Sequence, residues 1–303
     1  MQTPLVFRLG YVALNVTDAD RSAEDACNIV GARISGRDDR MIMLTSNQRR
    51  AELILMRSDE NTLRRVGLEA VDAAAVVEVK ARAEKAGLRI ISDRPSLECI
   101  EKGVTFLTRE GHAIEVHTPM PLDQPLRYHG PGQRPRFLDH INMAAKDPKA
   151  FAEDMTAATG LLLSERTTGF EIMWMRAADG RHHTIAAVKG GTGVHHISWE
   201  FAGFDAMKGV ADALIPEQRR LVWGPGRHGA GDNLFMYYVE PAGFLIECIA
   251  EMEVIQDLDM PVRVADPGEN LSNWRVVNQW GAVPPIEWVQ HHNDCCAVDA
   301  HDN

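Results

Sequence analysis

Apolar and polar positions alternate over Leu9 to Val16 as in a half-buried strand, and Met41 to Thr45, Ala51 to Met56 and Arg64 to Val71 read as further short strands. Two intervening stretches repeat every three to four residues instead. Asp18 to Val30 predicts a helix with Asp18 or Asp20 near its cap, and Ala73 to Ala86 a second one closed by Gly87. Leu88 to Ile91, Val104 to Leu107 and His112 to His117 add strands after it. The order is strand, helix, several strands, run through twice. Residues 119 to 137 hold five prolines and two glycines, the composition of a connector. The pattern then starts again. Leu138 to Ala145 matches Leu9 to Val16, and Pro148 to Thr159, closed by Gly160, supplies the helix. Phe170 to Met175 and His183 to Val188 repeat the strand pair, followed by a strand at Val194 to Phe201 and a helix at Phe204 to Leu214. Tyr238 to Glu247 repeats Phe106 to Glu115; Tyr11 to Glu115 spans 104 positions and His140 to Glu247 spans 107. Such a duplication outweighs any single motif. It predicts an α+β fold of two domains, each of two βαβββ modules wrapped into an incomplete barrel. Residues 1–120 form an N-terminal domain without metal, 121–137 a linker, 138–290 a C-terminal catalytic and metal-binding domain, and 291–303 a flexible tail.

Composition narrows the function. With 303 residues, 45% of them hydrophobic, the chain can bury large cores. A formal charge of −11 argues against nucleic acid or an anionic membrane as partner. The first residues lack a basic, apolar leader and no run reaches about 18 apolar residues, so a cytoplasmic protein acting on a small molecule is expected. Cys27, Cys99, Cys248, Cys295 and Cys296 show no paired spacing and read as free thiols, and the run His291 to Cys296 as a frayed end.

The candidate chemistry centres on Gly224 to Glu247. A glycine-rich loop delivers His228, the β-prone run Phe235 to Val239 follows, Pro241 to Gly243 turns the chain, and an apolar run carries Glu247 in its middle. A buried carboxylate costs several kcal/mol unless compensated, so it calls for a buried Arg or Lys or for a bound metal. The two copies differ here. The second has His140, His196 and Glu247 where the first has Tyr11, a residue near Val66 or Gly67, and Glu115. Two histidines and a carboxylate with open positions are the ligand set of a non-haem iron(II) site. Asn142 shares a strand face with His140, and Ser198 and Glu200 share one with His196. If Pro241 to Gly243 is a three-residue hairpin loop, Glu240 pairs with Phe244 and Tyr237 stands opposite Glu247.

Four segments together resemble the type I extradiol ring-cleaving dioxygenases of the vicinal oxygen chelate superfamily: Asp139 to Asn142, Arg181 to Ala186, Val194 to Ser198 and Gly224 to Glu247. The resemblance covers roughly residues 9 to 292. It implies that His140, His196 and Glu247 bind Fe(II), or Mn(II) in a minority of the family. It makes His183 the acid/base that handles the catecholic proton, with His182 as an alternative. Tyr237 then hydrogen-bonds the substrate oxygen, while His228 and Asn142 fix the substrate, and Trp174 walls the pocket. Catechol and O2 become the partners, the product a muconic semialdehyde, and the assembly a homo-oligomer. Trp223 stands where relatives taking carboxylated catechols have Arg, which implies an apolar ring substituent; Arg275, in a C-terminal segment resembling one that closes over the pocket, reads as a solvated side chain, with contact to an acidic substituent as the alternative. The same fold also serves glyoxalase-type isomerisation and non-catalytic binding of aromatic compounds, the two competing readings.

Overall fold

The computed structural model describes residues 3–126 and 130–297. Four βαβββ modules follow one another. The first comprises β1 (Val6–Val16), α1 (Ala19–Asp25, continued by a π turn over Ala26–Val30), β2 (Arg33–Arg37), β3 (Met41–Thr45) and β4 (Leu53–Arg57). The second runs through β5 (Thr62–Ala70), α2 (Ala73–Lys85), β6 (Arg89–Ser92), β7 (Gly103–Leu107) and β8 (Ala113–His117). The third has β9 (Phe137–Ala145), α3 (Pro148–Thr159), β10 (Leu162–Thr167), β11 (Ile172–Arg176) and β12 (Ile185–Lys189). The fourth has β13 (Gly193–Glu200), α4 (Phe204–Leu214), β14 (Trp223–Arg227), β15 (Leu234–Val239) and β16 (Leu245–Ala250). After it come β17 (Arg263–Ala265), a short helix α5 (Ile286–Val289) and β18 (Asn293–Asp294). Asp18, Asp72 and Asp147 each cap a helix by accepting a backbone N–H three residues on, and Gly160 ends α3 with a positive φ of 74°.

Modules pair identically in both halves. The first strand of a module runs parallel to its last strand and antiparallel to the first strand of its sister module. The resulting orders are β2-β3-β4-β1-β5-β8-β7-β6 and β14-β15-β16-β13-β9-β12-β11-β10-β17, neither closing on itself among the described residues. Side chains from both halves share one continuous apolar core. Polar ties add to it: Arg109 Nε donates to Asp154 at 2.6 Å, Arg219 pairs with Asp25, and Leu5 N donates to Thr159 O at 2.9 Å.

Several strands were not expected from the sequence. β2, β10 and β17 fall where the sequence carried no assignment, and β14 where it reads as a glycine-rich loop; β14 contains Pro225, tolerated because the strand lies at a sheet edge. The end of the chain needs a larger correction. Residues 293–294 pair with β13, Cys295 N donates to Thr192 O at 3.0 Å and Cys296 N to Leu63 O at 2.9 Å, so the chain up to residue 297 is tied to both halves. The rest of the expected tail lies outside the described residues. Among the described residues no helix is long and apolar enough to cross a membrane, and all five cysteines are free thiols.

Asp179, in the turn after β11, carries a stability cost. Burial, with Asp139 nearby, raises its carboxyl to about 6. The unfolded chain releases this proton near pH 4 and the folded chain only near 6, so stability falls as pH rises through that window. Asp179→Asn is expected to gain about 1–2 kcal/mol at pH 7, after discounting for partial exposure, and nothing at pH 4. Urea titrations at the two pH values measure this.

Candidate active site

The hairpin of β15 and β16 has the predicted register. Glu240 N donates to Phe244 O at 2.9 Å around the three-residue loop, and Tyr237 faces Glu247. Glu247 is thereby delivered to the middle of a buried sheet face. Ser198 of β13 pairs with Glu247 on one side and with His140 of β9 on the other. His196, two residues before Ser198, therefore points to the same face. His140, His196 and Glu247 are all buried, and their ligand-type atoms lie within 4.8 Å of one another.

Each imidazole is oriented from behind. His140 Nδ1 lies 2.7 Å from Asp139 Oδ2, and Asp139 pairs in turn with Arg181, which also reaches Glu200 at 3.0 Å. His195 Nε2 donates to Trp288 O at 2.9 Å, so its Nδ1, 2.7 Å from His196 Nδ1, is the acceptor of that contact. In both rings this leaves Nε2 facing the carboxylate, 2.9 Å (His140) and 3.5 Å (His196) from Glu247 Oε2. Neither approach is aligned as a hydrogen bond, and Oε2 remains a buried acceptor without a donor. Burial pushes both partners toward neutrality. The facing charges outweigh it, holding His140 up to about 9 and Glu247 well below the usual carboxylate range.

Around this point lies a cavity of about 40 Å³ lined by His183, Asn142, His228, Tyr237, Trp174 and Trp223 among others. Tyr237 O–H donates to Glu247 Oε1 at 2.5 Å and lies 2.9 Å from His228 Nε2. Burial, then the Glu247 charge, lift the phenol well above 10, so it stays a donor. His228 Nδ1 donates to Val277 O at 2.7 Å. The His183 ring lies tilted against His140 with centroids 4.2 Å apart, and burial together with neighbouring imidazoles lowers it well below 6.5. Asn142 Oδ1 is buried without a partner.

One sequence assignment moves, and Arg275 is solvent-exposed as expected. His182 does not line the cavity; consecutive residues point to opposite sides, and it lies behind His183 between His183 Nδ1 (3.0 Å) and Glu165 Oε2 (3.2 Å). Arg275 is exposed against Trp274, and its neighbours Val276 and Val277 reach the cavity instead.

Comparison with known proteins agrees with this architecture. Residues 8–116 match the model of the Glyoxalase/Bleomycin resistance protein/Dioxygenase superfamily. Over 96% of both chains, the structure aligns with a Mn(II)-bound glyoxalase from Novosphingobium aromaticivorans at TM-score 0.83 and 24% identity. It aligns with homoprotocatechuate 2,3-dioxygenase from Arthrobacter globiformis over 100% of this chain and 96% of that one, at TM-score 0.86 and 21% identity. The chain has the vicinal oxygen chelate fold. It is also 27% identical over 210 residues, 63% of its length, to Metapyrocatechase 2 from Cupriavidus necator, and 26% identical over 170 residues, 50% of its length, to Metapyrocatechase from Geobacillus stearothermophilus. These matches span 64% and 51% of the two relatives.

The two halves of the chain resolve their buried carboxylates differently. In the first half Gly67 occupies the place of Ser198, pairing with both Tyr11 and Glu115. The counterpart of His196 is thus Arg65, not Val66 or Gly67. Arg65 Nη1 lies 3.5 Å from Glu115 Oε2, and Tyr11 O–H donates to the same oxygen at 2.6 Å. Gly67 is required because a Cβ there would sit 2.1 Å from the Tyr11 ring. Glu247 has no Arg or Lys in contact among the described residues, only imidazoles and a phenol. A divalent cation is the compensation this donor set fits: two Nε2 lone pairs and one orphaned carboxylate oxygen.

Asp139, His195, Arg181 and Trp288 were not assigned roles from the sequence, although Asp139 and His195 flank the ligands in their motifs. Asp139→Asn weakens the carboxylate's hold on His140 while keeping an acceptor. Metal affinity is expected to fall about 10–100-fold, measured by competition with a chromophoric chelator.

Proposed function

We propose that this protein opens catechol rings by extradiol cleavage with O2 at a metal held by His140, His196 and Glu247. The observation carrying this reading is the convergence of those three side chains at the base of a cavity that also presents His183, Tyr237, His228 and Asn142. The bound metal, Fe(II) in this proposal and Mn(II) its alternative, supplies a Lewis-acid centre where a diol and O2 meet.

The chain's own groups handle protons and position. If His182 Nε2 donates to Glu165, its Nδ1 accepts from His183 Nδ1–H, and His183 Nε2 is left as a lone pair able to take a catechol proton. Its lowered pKa keeps that nitrogen free at neutral pH. Tyr237 and His228 sit where a substrate oxygen needs hydrogen-bond partners, and Asn142 Oδ1 offers a buried acceptor. Trp174, Trp223, Trp288, Ile172, Val276 and Val277 form the rest of the wall, and no Arg or Lys lines it among the described residues. This favours a catechol whose ring substituent is uncharged and apolar.

The test loads the protein with Fe(II) or Mn(II) anaerobically, adds a panel of substituted catechols, then admits air. A yellow ring-fission product with stoichiometric oxygen uptake is expected, strongest for alkyl- or aryl-catechols. Turnover of a glyoxalase-type thiohemiacetal without oxygen, or no product with any catechol, would sink the proposal.

A further inference from the structure

The same face of the N-terminal sheet carries a second cavity, of about 510 Å³, that the catalytic reading does not use. Its base is the first-half counterpart of the candidate active site. Tyr11 O–H, bonded to Glu115 at 2.6 Å and to Ser96 Oγ at 2.6 Å, together with Arg65 fills the place where the second half gathers metal ligands. Metal chemistry is therefore closed to it, but the space above remains open. Met41, Met43 and Met56, partly exposed on β3 and β4, line that space with Ile54 and Leu97. Partly exposed methionines around a concave apolar floor make an adaptable binding surface for a flat apolar body. Of the arginines lining the cavity, Arg50 is held by Asp123, Arg65 by Glu115 and Arg64 donates to Asn15, while Arg40 stands on the exposed rim with Asp38 and Glu98. Guanidinium groups both stack on rings and pair with carboxylates.

We propose that this cavity is a binding site for a small aromatic carboxylate, the ring lying on the methionines and the carboxylate at the arginine rim. The probe is 2-naphthoate, measured by equilibrium dialysis against the full-length, metal-loaded protein, with 2-naphthalenemethanol as the uncharged control. Binding at sub-millimolar concentration is expected, at least tenfold weaker for the alcohol. Arg40→Glu, on the exposed rim, and Met56→Trp, which fills the apolar floor, are each expected to weaken 2-naphthoate at least tenfold without changing the circular dichroism spectrum. Absence of binding at millimolar probe overturns the proposal. So does binding that both variants leave within twofold, which would place the probe elsewhere.

Discussion

Glu247→Gln is expected to lower ring-cleavage turnover by about 10³-fold or more, because a neutral amide removes the anionic ligand from a centre whose Lewis acidity is worth several kcal/mol. The substitution is nearly isosteric, and Gln can still accept from Tyr237, so the fold should survive. Metal binding gives a readout independent of activity. A ligand at a hundred times its Kd stabilises the folded chain by about 2.7 kcal/mol. Fe(II) or Mn(II) should therefore raise the melting temperature of the parent protein by several degrees and leave that of the variant unchanged. Native metal affinity in Glu247→Gln would remove Glu247 from the ligand set.

His183→Asn should reduce kcat by about 10²–10⁴-fold, the usual range for loss of a positioned acid/base. The amide keeps a polar partner for His182 but has no basic nitrogen. Metal content should stay stoichiometric and catechol dissociation should change little, since the ligands and the Trp223 wall are untouched. That separation distinguishes a proton-transfer role from a supporting one. If kcat stays within tenfold, or if metal is lost along with activity, His183 is not the base.

Much of this site was legible because the chain repeats itself. Aligning the halves singled out His140, His196 and Glu247 without any knowledge of packing, and the loop length Pro241 to Gly243 set the register that places Tyr237 beside Glu247. What escaped depends on contacts between distant strands. Arg65 could not be matched to His196 by counting along the chain, because the bulges in the β1–β5 and β9–β13 ladders shift the pairing. β14 reads locally as a turn, since Gly224, Pro225 and Gly226 lack strand propensity; pairing with β15 overrides that, with Trp223 opposite Tyr237. Trp288 matters through its backbone carbonyl, which sets the tautomer of His195 and hence of His196, and a carbonyl leaves no trace in a sequence.

The contrast between Glu115 and Glu247 bears on how the protein responds to iron starvation. The first half supplies its own guanidinium, so its sheet centre is complete as soon as the chain folds. On the proposed function, the second half would take its compensating charge from a bound metal ion. Amide hydrogen exchange around β9, β13 and β16 should accelerate when chelator strips the ion, while β1, β5 and β8 keep their protection. On the proposed function, the duplicated modules would give one lobe complete without metal and another whose local stability depends on metal supply.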